Sequence, residues 1–272
     1  MTVQIPALDL FELTLHANGV LVIAFNRPNR YNALNPQVYK QWGEALEWAA
    51  KEDAVKVTVM TGNGKYYSSG QELAAPEDGD DDEDPEAAMN RRYAFTTNVI
   101  TQLIHFPKLI IAAINGPAIG FAVTSAALCD IVYATPEATF NTPFMKLGFC
   151  AEGGSSVIFP RVMGYSRANE MLLLGKKFTA EEMVQCGMVA RTIPSDSFRE
   201  QILKIASAAA KAPIEAMKAT KHLIRAHDFE LMDATNIREM TCLRERMMSD
   251  ESAQAIMAFM MAKAAAKDKA KL

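Results

Sequence analysis

Two glycine-marked turns hold the chemistry-capable residues of this chain, Ser68-Ser69-Gly70-Gln71-Glu72 and Asn115-Gly116-Pro117-Ala118-Ile119-Gly120-Phe121. Each follows an apolar, strand-like run, residues 55–60 before the first and 109–114 before the second. A glycine has no Cβ, so the backbone turns sharply there and a ligand can approach closely. Two such turns at the ends of neighbouring strands can aim two peptide N–H groups at one point, the arrangement that holds a developing oxyanion. Thirty-two residues after Gly120 comes Glu152, in Ala151-Glu152-Gly153-Gly154, a lone carboxylate among small and apolar neighbours. Oxyanion donors with one base suggest proton chemistry next to a carbonyl. From the residues alone, each turn also reads as a plain turn. Glu152 equally reads as a surface or capping carboxylate, since it stands just ahead of an expected helix N-terminus.

Other motifs fail on inspection. Gly62-Asn63-Gly64-Lys65 ends like a phosphate loop, but Val59 stands where the first glycine belongs and Tyr66 follows the lysine. Gly154-Ser155-Ser156 lacks the second glycine of a nucleophile elbow. The G-x-G-x-x-G dinucleotide fingerprint is missing. Cys129, Cys150, Cys186 and Cys242 are scattered without a CxxC pair and read as buried free thiols of a reducing compartment. His16, His105, His222 and His227 are equally dispersed, so no metal site is expected.

The elements that must position the turns alternate through the first half of the chain. Residues 20–25 form a strand candidate, paired with residues 11–15 across Ala17-Asn18-Gly19. Asn35-Pro36 reads as a helix start, with Val38, Trp42, Leu46 and Ala49 as its buried stripe. A strand over 55–61 precedes the first turn; a helix from about Pro85 to Ile104 leads to a strand over 109–114. Residues 120–127 are small enough for a tightly packed helix, and residues 131–134 return as a strand. This order implies right-handed crossovers and a mostly parallel, buried sheet. Beyond Glu152, helices are expected over 155–163, 167–174, 180–186, 197–211 and 213–225. Helical spacing recurs in Met240, Leu243 and Met247, then in Ile256, Phe259 and Met260, reading as core or subunit-interface packing.

Composition sets outer bounds. The 272 residues, half of them hydrophobic, can fill one large domain or one domain with a helical extension. No apolar run reaches transmembrane length. Residues 1–10 lack a basic stretch and contain Pro6 and Asp9, so no secretory leader is expected. Net charge is −4, yet residues 77–86 hold eight acids; with those set aside, 28 basic face 24 acidic residues, a net of +4. A mildly basic body suits an anionic small ligand and carries no nucleic-acid footprint. The acidic run reads as a solvated, mobile loop; its spacing does not match a calcium loop. Ala270-Lys271-Leu272 is close to a Ser-Lys-Leu peroxisomal address, or else is a lysine-rich helix end.

Several motifs in register resemble one family. Asn26-Arg27-Pro28 with Asn32-Ala33-Leu34, Ser68–Leu73, Asn115–Phe121 and Cys129–Ala134 are similar to successive segments of the crotonase (enoyl-CoA hydratase/isomerase) superfamily. The resemblance runs from about Phe11 to Arg225 and implies an α/β fold, a crotonase-like ββα spiral with a C-terminal helical trimerisation region. On it the chain divides into a spiral core, 1–200, and a helical region, 201–272, ending in a peroxisomal targeting tripeptide. It further implies oxyanion N–H groups from Gln71 and Phe121 and an acyl-CoA pocket along Ser69, Gly70, Gln71, Glu72, Leu73, Gly120 and Phe121. Arg27 and Arg30 become candidates for the phosphates of coenzyme A. Gln71-Glu72 departs from the commoner Ala-Asp, which leaves the shape of the thioester pocket open.

Hydratases of this family place one acid at the position of Thr124 and another at that of Phe144, and this chain has neither. The stretch Thr142–Gly148 followed by Glu152-Gly153-Gly154 looks like the peroxisomal 3,2-enoyl-CoA isomerase branch, where one glutamate does the work. Moving a double bond from C3 to C2 needs a proton taken from C2 and returned at C4, which a single carboxyl facing both carbons can do. Apolar neighbours such as Phe121 and Phe149 would raise the pKa of that carboxyl. Glu72 is the rival base. The resemblance thus implies a 3,2-trans-enoyl-CoA isomerase of fatty-acid β-oxidation in the peroxisomal matrix, a homotrimer or homohexamer met by the import receptor. The coenzyme A thioester is substrate, and no separate cofactor, metal, nucleic acid or membrane span is expected. The alternatives are a dienoyl-CoA isomerase, an enoyl-CoA hydratase, and a non-catalytic acyl-CoA- or protein-binding module of the same fold.

Overall fold

The computed structural model describes residues 3–73 and 85–269. Residues 77–84 of the acidic run, and Ala270, Lys271 and Leu272, lie outside them. Strands β1 (Phe11–Leu15) and β2 (Val20–Phe25) pair antiparallel, with Phe11 opposite Phe25 and Leu15 opposite Leu21. Helix α1 (Pro36–Lys51) starts where Asn35 caps the Val38 N–H and Pro36 takes the first position, needing no donor of its own. Its buried face includes Val38, Tyr39, Trp42, Leu46 and Ala49.

Strand β3 (Val57–Gly62) is buried throughout. It starts two residues later than the expected 55, because Val55 N–H closes a turn onto Glu52 and Lys56 N–H is taken by the Gly19 carbonyl. Then follow α2 (Pro85–Ile104), β4 (Leu109–Ile114), β5 (Ala118–Ile119), α3 (Phe121–Leu128), β6 (Ile131–Ala134) and β7 (Thr139–Asn141). After the Glu152 loop come α4 (Ser155–Met163), α5 (Tyr165–Leu172), β8 (Phe178–Thr179), α6 (Ala180–Gln185) and β9 (Arg191–Thr192). Helix α5 begins directly after Gly164, ahead of the expected 167. The chain ends in α7 (Phe198–Ala209), α8 (Ile214–Arg225), α9 (Phe229–Met247) and α10 (Asp250–Lys269). The last two are separate helices because Ser249 breaks the run: its hydroxyl donates to Arg246 O (2.6 Å) and accepts the Ser252 N–H (3.2 Å).

The main sheet has the order β1-β2-β3-β4-β6-β9, parallel from β2 onwards. Alternate residues of its strands serve two cores. Met60, Ile110 and Ala112 face the core shared with α1, α2 and α3, while Val57, Val59, Ile111 and Ala113 face Phe198, Ile202 and Ala206 of α7. Helix α7 therefore lies on the sheet and runs across the boundary drawn above between residues 200 and 201. A second sheet, β5-β7-β8, was not foreseen, since strands of two or three residues show no period to read. No helix among the described residues is long and apolar enough to cross a membrane.

Candidate active site

Strands β3 and β4 are parallel neighbours, so the segments leaving their ends travel together. Ser68 bridges Ala118 in parallel, and Ile119 N–H donates to Ser68 O at 3.0 Å. Gln71 and Phe121 each lie three residues beyond that bridge, so the two turns arrive side by side. Gly70 has φ 74°, and a Cβ on it would run into the Ile119 carbonyl. The Ser68 hydroxyl locks the turn by donating to Asn32 O (2.7 Å) and accepting the Gly70 N–H (3.1 Å). On either side of Gln71, Gly70 O and Glu72 N–H are tied to Leu34. The N–H of Gln71 has no acceptor among the described residues, nor does that of Phe121, which opens α3 where helical donors lack partners.

Glu152 is 4% exposed. Its Oε1 accepts the Thr124 hydroxyl at 2.7 Å, from the helix whose first residue is Phe121. Glu152 and the Phe121 N–H are thus registered against one helical turn through Thr124. Burial pushes the Glu152 pKa up to about 8, and the charge of Glu239 adds to the rise while the Thr124 hydrogen bond opposes it. The capping alternative does not describe this side chain. Glu239 of α9 caps α4 instead, accepting Gly154 N–H at 2.6 Å and Ser156 N–H at 2.9 Å.

Tyr39 joins the two halves. It is 2% exposed, its ring lies 5.3 Å from that of Phe121, and its hydroxyl donates to Gln71 Oε1 at 3.3 Å. Burial holds its pKa far above the usual phenol range, and the Glu152 charge pushes it further. The assembly combines two main-chain donors without acceptors among the described residues and a buried carboxyl of raised pKa bonded to the helix that Phe121 opens, with apolar and aromatic walls. Such a site can take a proton beside a carbonyl and hold the resulting oxyanion.

Residues 16–266 match the family model described as enoyl-CoA hydratase/isomerase. The chain belongs to the enoyl-CoA hydratase/isomerase family. It is 40% identical over 243 residues to human "Enoyl-CoA delta isomerase 2", covering 89% of this chain and 61% of that protein. It is 37% identical over 256 residues to mouse "Enoyl-CoA delta isomerase 3, peroxisomal", covering 94% of this chain and 80% of the relative. The fold is that of a solved enoyl-CoA hydratase/isomerase from Pseudoalteromonas atlantica, at TM-score 0.83 and 30% identity, covering 93% of this chain and 98% of that one. The chain therefore has the crotonase fold, but it spans only about three fifths of the human relative.

Thr124, which the resemblance puts at a hydratase acid position, donates to Glu152, and Phe144, which it puts at the other, is buried. Glu72, the rival base, is ion-paired with Arg27 (3.0 Å) and lies 3.7 Å from Arg30. Arg27 also donates to Ala33 O at 2.6 Å, so this candidate phosphate ligand is engaged within the chain, whereas the Arg30 side chain is half exposed. Ser69 is tied through its N–H to Tyr31 O, and Leu73 packs against the core. Sequence reasoning missed Tyr39 and Glu239. Tyr39 sits on the apolar stripe of α1, a placement that signals packing, and nothing local to Glu239 links it to residues 154 and 156.

Proposed function

We propose that this chain is a 3,2-trans-enoyl-CoA isomerase: it moves a double bond of an enoyl-CoA thioester from C3 to C2. Glu152 takes a proton from C2. The electrons pass into a dienolate whose oxygen rests on the N–H groups of Gln71 and Phe121, and Glu152 returns the proton at C4. The single observation that carries this reading is one buried carboxyl, its pKa raised to about 8, bonded to the helix that Phe121 opens, while the N–H groups of Phe121 and Gln71 have no acceptor among the described residues. A pKa near the working pH lets the same group act as base and then as acid. The printed names of the human and mouse relatives support the same reaction. The thioester is itself the substrate, and no metal or redox group enters these steps.

The rest of the proposal follows the family. Arg27 and Arg30, both of which meet Glu72, are the candidate contacts for coenzyme A phosphate. Exposed Ile237, Met248, Met257 and Met261 on and between the last two helices supply an apolar surface for a homotrimer or homohexamer. A peroxisomal location is supported by the mouse relative's name.

The test is conversion of trans-3-hexenoyl-CoA to the 2-enoyl product by wild type and Glu152→Gln. A fall of roughly 10²–10⁴-fold in a folded variant is expected for loss of the proton carrier. Unchanged turnover moves the base elsewhere, to Glu72 first. Acyl-CoA binding without turnover in either protein favours the non-catalytic module.

A further inference from the structure

Helix α7 covers the face of the main sheet opposite α1, α2 and α3, and an open cavity of about 150 Å³ lies between it and the strands. The strand register explains the space. Val22 pairs with Val59 and Val59 with Ile111, a row of full-sized side chains turned towards α7. The next row turned the same way is small: Ala24 pairs with Thr61, and the Thr61 hydroxyl donates to Ala113 O at 2.9 Å. Protein interiors are close-packed, so a helix seated on the larger row leaves a gap over the smaller one. Phe198, Ile202 and Leu203 of α7 bound that gap from the other side, which makes floor and roof largely apolar.

The mouth is polar. Glu12, His16, Asn63 and Arg199 line the cavity, and each is exposed or half-buried. Asn63 orders them: its Nδ2 donates to Glu12 Oε2 at 2.8 Å, and its Oδ1 accepts from Arg199 Nη2 at 2.8 Å. The amide therefore separates the carboxylate from the guanidinium. It is an uncharged acceptor, so its bond holds Arg199 at the mouth without neutralising it. Arg199 stands one turn ahead of Ile202 and Leu203, which lets its stem share their side of α7 while the fork reaches water. A cavity of this volume takes an apolar body of about six carbons, the size of benzene. A guanidinium has five N–H groups, and Asn63 engages one nitrogen, so a carboxylate can join it without displacing the amide. Glu12 opposes an anion, but from the far end of that amide, where it already accepts a hydrogen bond.

We propose that this cavity is a binding site for a monocarboxylate with an apolar body of about six carbons. The tail lies between Ala24, Ala113 and Ile202, and the carboxylate meets Arg199. The site is on the other face of the sheet from the core that holds Tyr39 and Phe121, and it stands independently of the isomerase reading.

The experiment titrates hexanoate, hexanol and hexylamine calorimetrically into the full chain, as wild type, Arg199→Met and Ala24→Val. Wild type is expected to bind hexanoate saturably. Arg199→Met keeps an apolar stem at an exposed position and should weaken hexanoate by roughly 10- to 100-fold, the range of a hydrogen bond to a charged group. Hexanol should bind wild type more weakly than hexanoate by a similar factor. Butanoate should bind about 15-fold more weakly than hexanoate, the value of two buried methylenes, while decanoate should gain little because the cavity is full. Ala24→Val narrows the floor and should weaken hexanoate as well; should valine not be accommodated, Arg199→Met and the chain-length series decide. Absence of saturable hexanoate binding overturns the inference. So does equal affinity for hexanol, a preference for hexylamine, which would assign the mouth to Glu12, or an affinity that climbs steadily to decanoate. Hexanoate binding unchanged in Arg199→Met also overturns it and moves the carboxylate to another site, the thioester pocket first.

Discussion

The proposed oxyanion side and the proposed base side of this site are built in different ways. On the oxyanion side the working groups are main-chain N–H donors, set by two turns, a β-bridge and one serine hydroxyl. On the base side the working group is a side chain, and its state depends on Thr124 of α3 and Glu239 of α9, 28 and 87 positions away along the chain. The first half is held by backbone geometry and the second by electrostatic balance. Substitutions should therefore break the first through shape and shift the second through pKa.

The largest effect expected from this comparison is on the shape-held half. Gly70→Ala puts a methyl group into the Ile119 carbonyl and an L-residue at φ 74°. The turn must move, and the Gln71 N–H with it. Loss of one oxyanion donor typically costs about 10²–10³ in kcat. Turnover of trans-3-hexenoyl-CoA by the folded variant should fall by roughly that factor. A Gly70→Ala enzyme with wild-type kcat would remove the Gln71 donor from the mechanism.

Glu239→Gln tests the balance and the scaffold together. An amide can accept one of the two N–H groups of Gly154 and Ser156, but its NH2 opposes the other. An unsatisfied buried donor costs about 1–3 kcal/mol, which should appear as a lower Tm. The variant also removes a negative charge that raises the Glu152 pKa. Glu152 then ionises more readily, so the rising limb of kcat/KM should move to lower pH. A limb that stays in place while Tm falls would confine Glu239 to capping.

The same division explains what could be read from the chain alone. Glycine turns behind apolar strands declare themselves because backbone requirements select few residue types, and Gly70, Gly120 and the strand Leu109–Ile114 lie where spacing puts them. Glu152 was legible as a lone carboxylate, and only its burial separates a candidate base from a helix cap. Tyr39 and Glu239 were not legible. Each sits in a helix at a position whose local pattern speaks of packing, and each gains its meaning from a contact made by the tertiary fold. The second sheet was missed for a related reason: Ala118–Ile119 and Phe178–Thr179 pair through long-range partners, without a period of their own.

The smallest expected effect, and the finest test of the electrostatic half, is Thr124→Val. Valine nearly matches threonine in shape, so the α3 turn carrying the Phe121 N–H should hold its position. What disappears is the 2.7 Å hydrogen bond that stabilises the ionised Glu152 and pulls its pKa down against burial. Without it the folded-state pKa rises above about 8. A general base works only when deprotonated, so kcat/KM should reach its plateau at higher pH, opposite in direction to Glu239→Gln. At pH 7 the loss should be roughly two- to tenfold, the net contribution of a typical intramolecular hydrogen bond. At pH values above the shifted limb most of that loss should be recovered, because the base is then ionised in both proteins. A deficit that persists unchanged at high pH would mean that the Thr124 hydroxyl orients Glu152 and does not tune it, and the base side would then resemble the oxyanion side in being held by geometry.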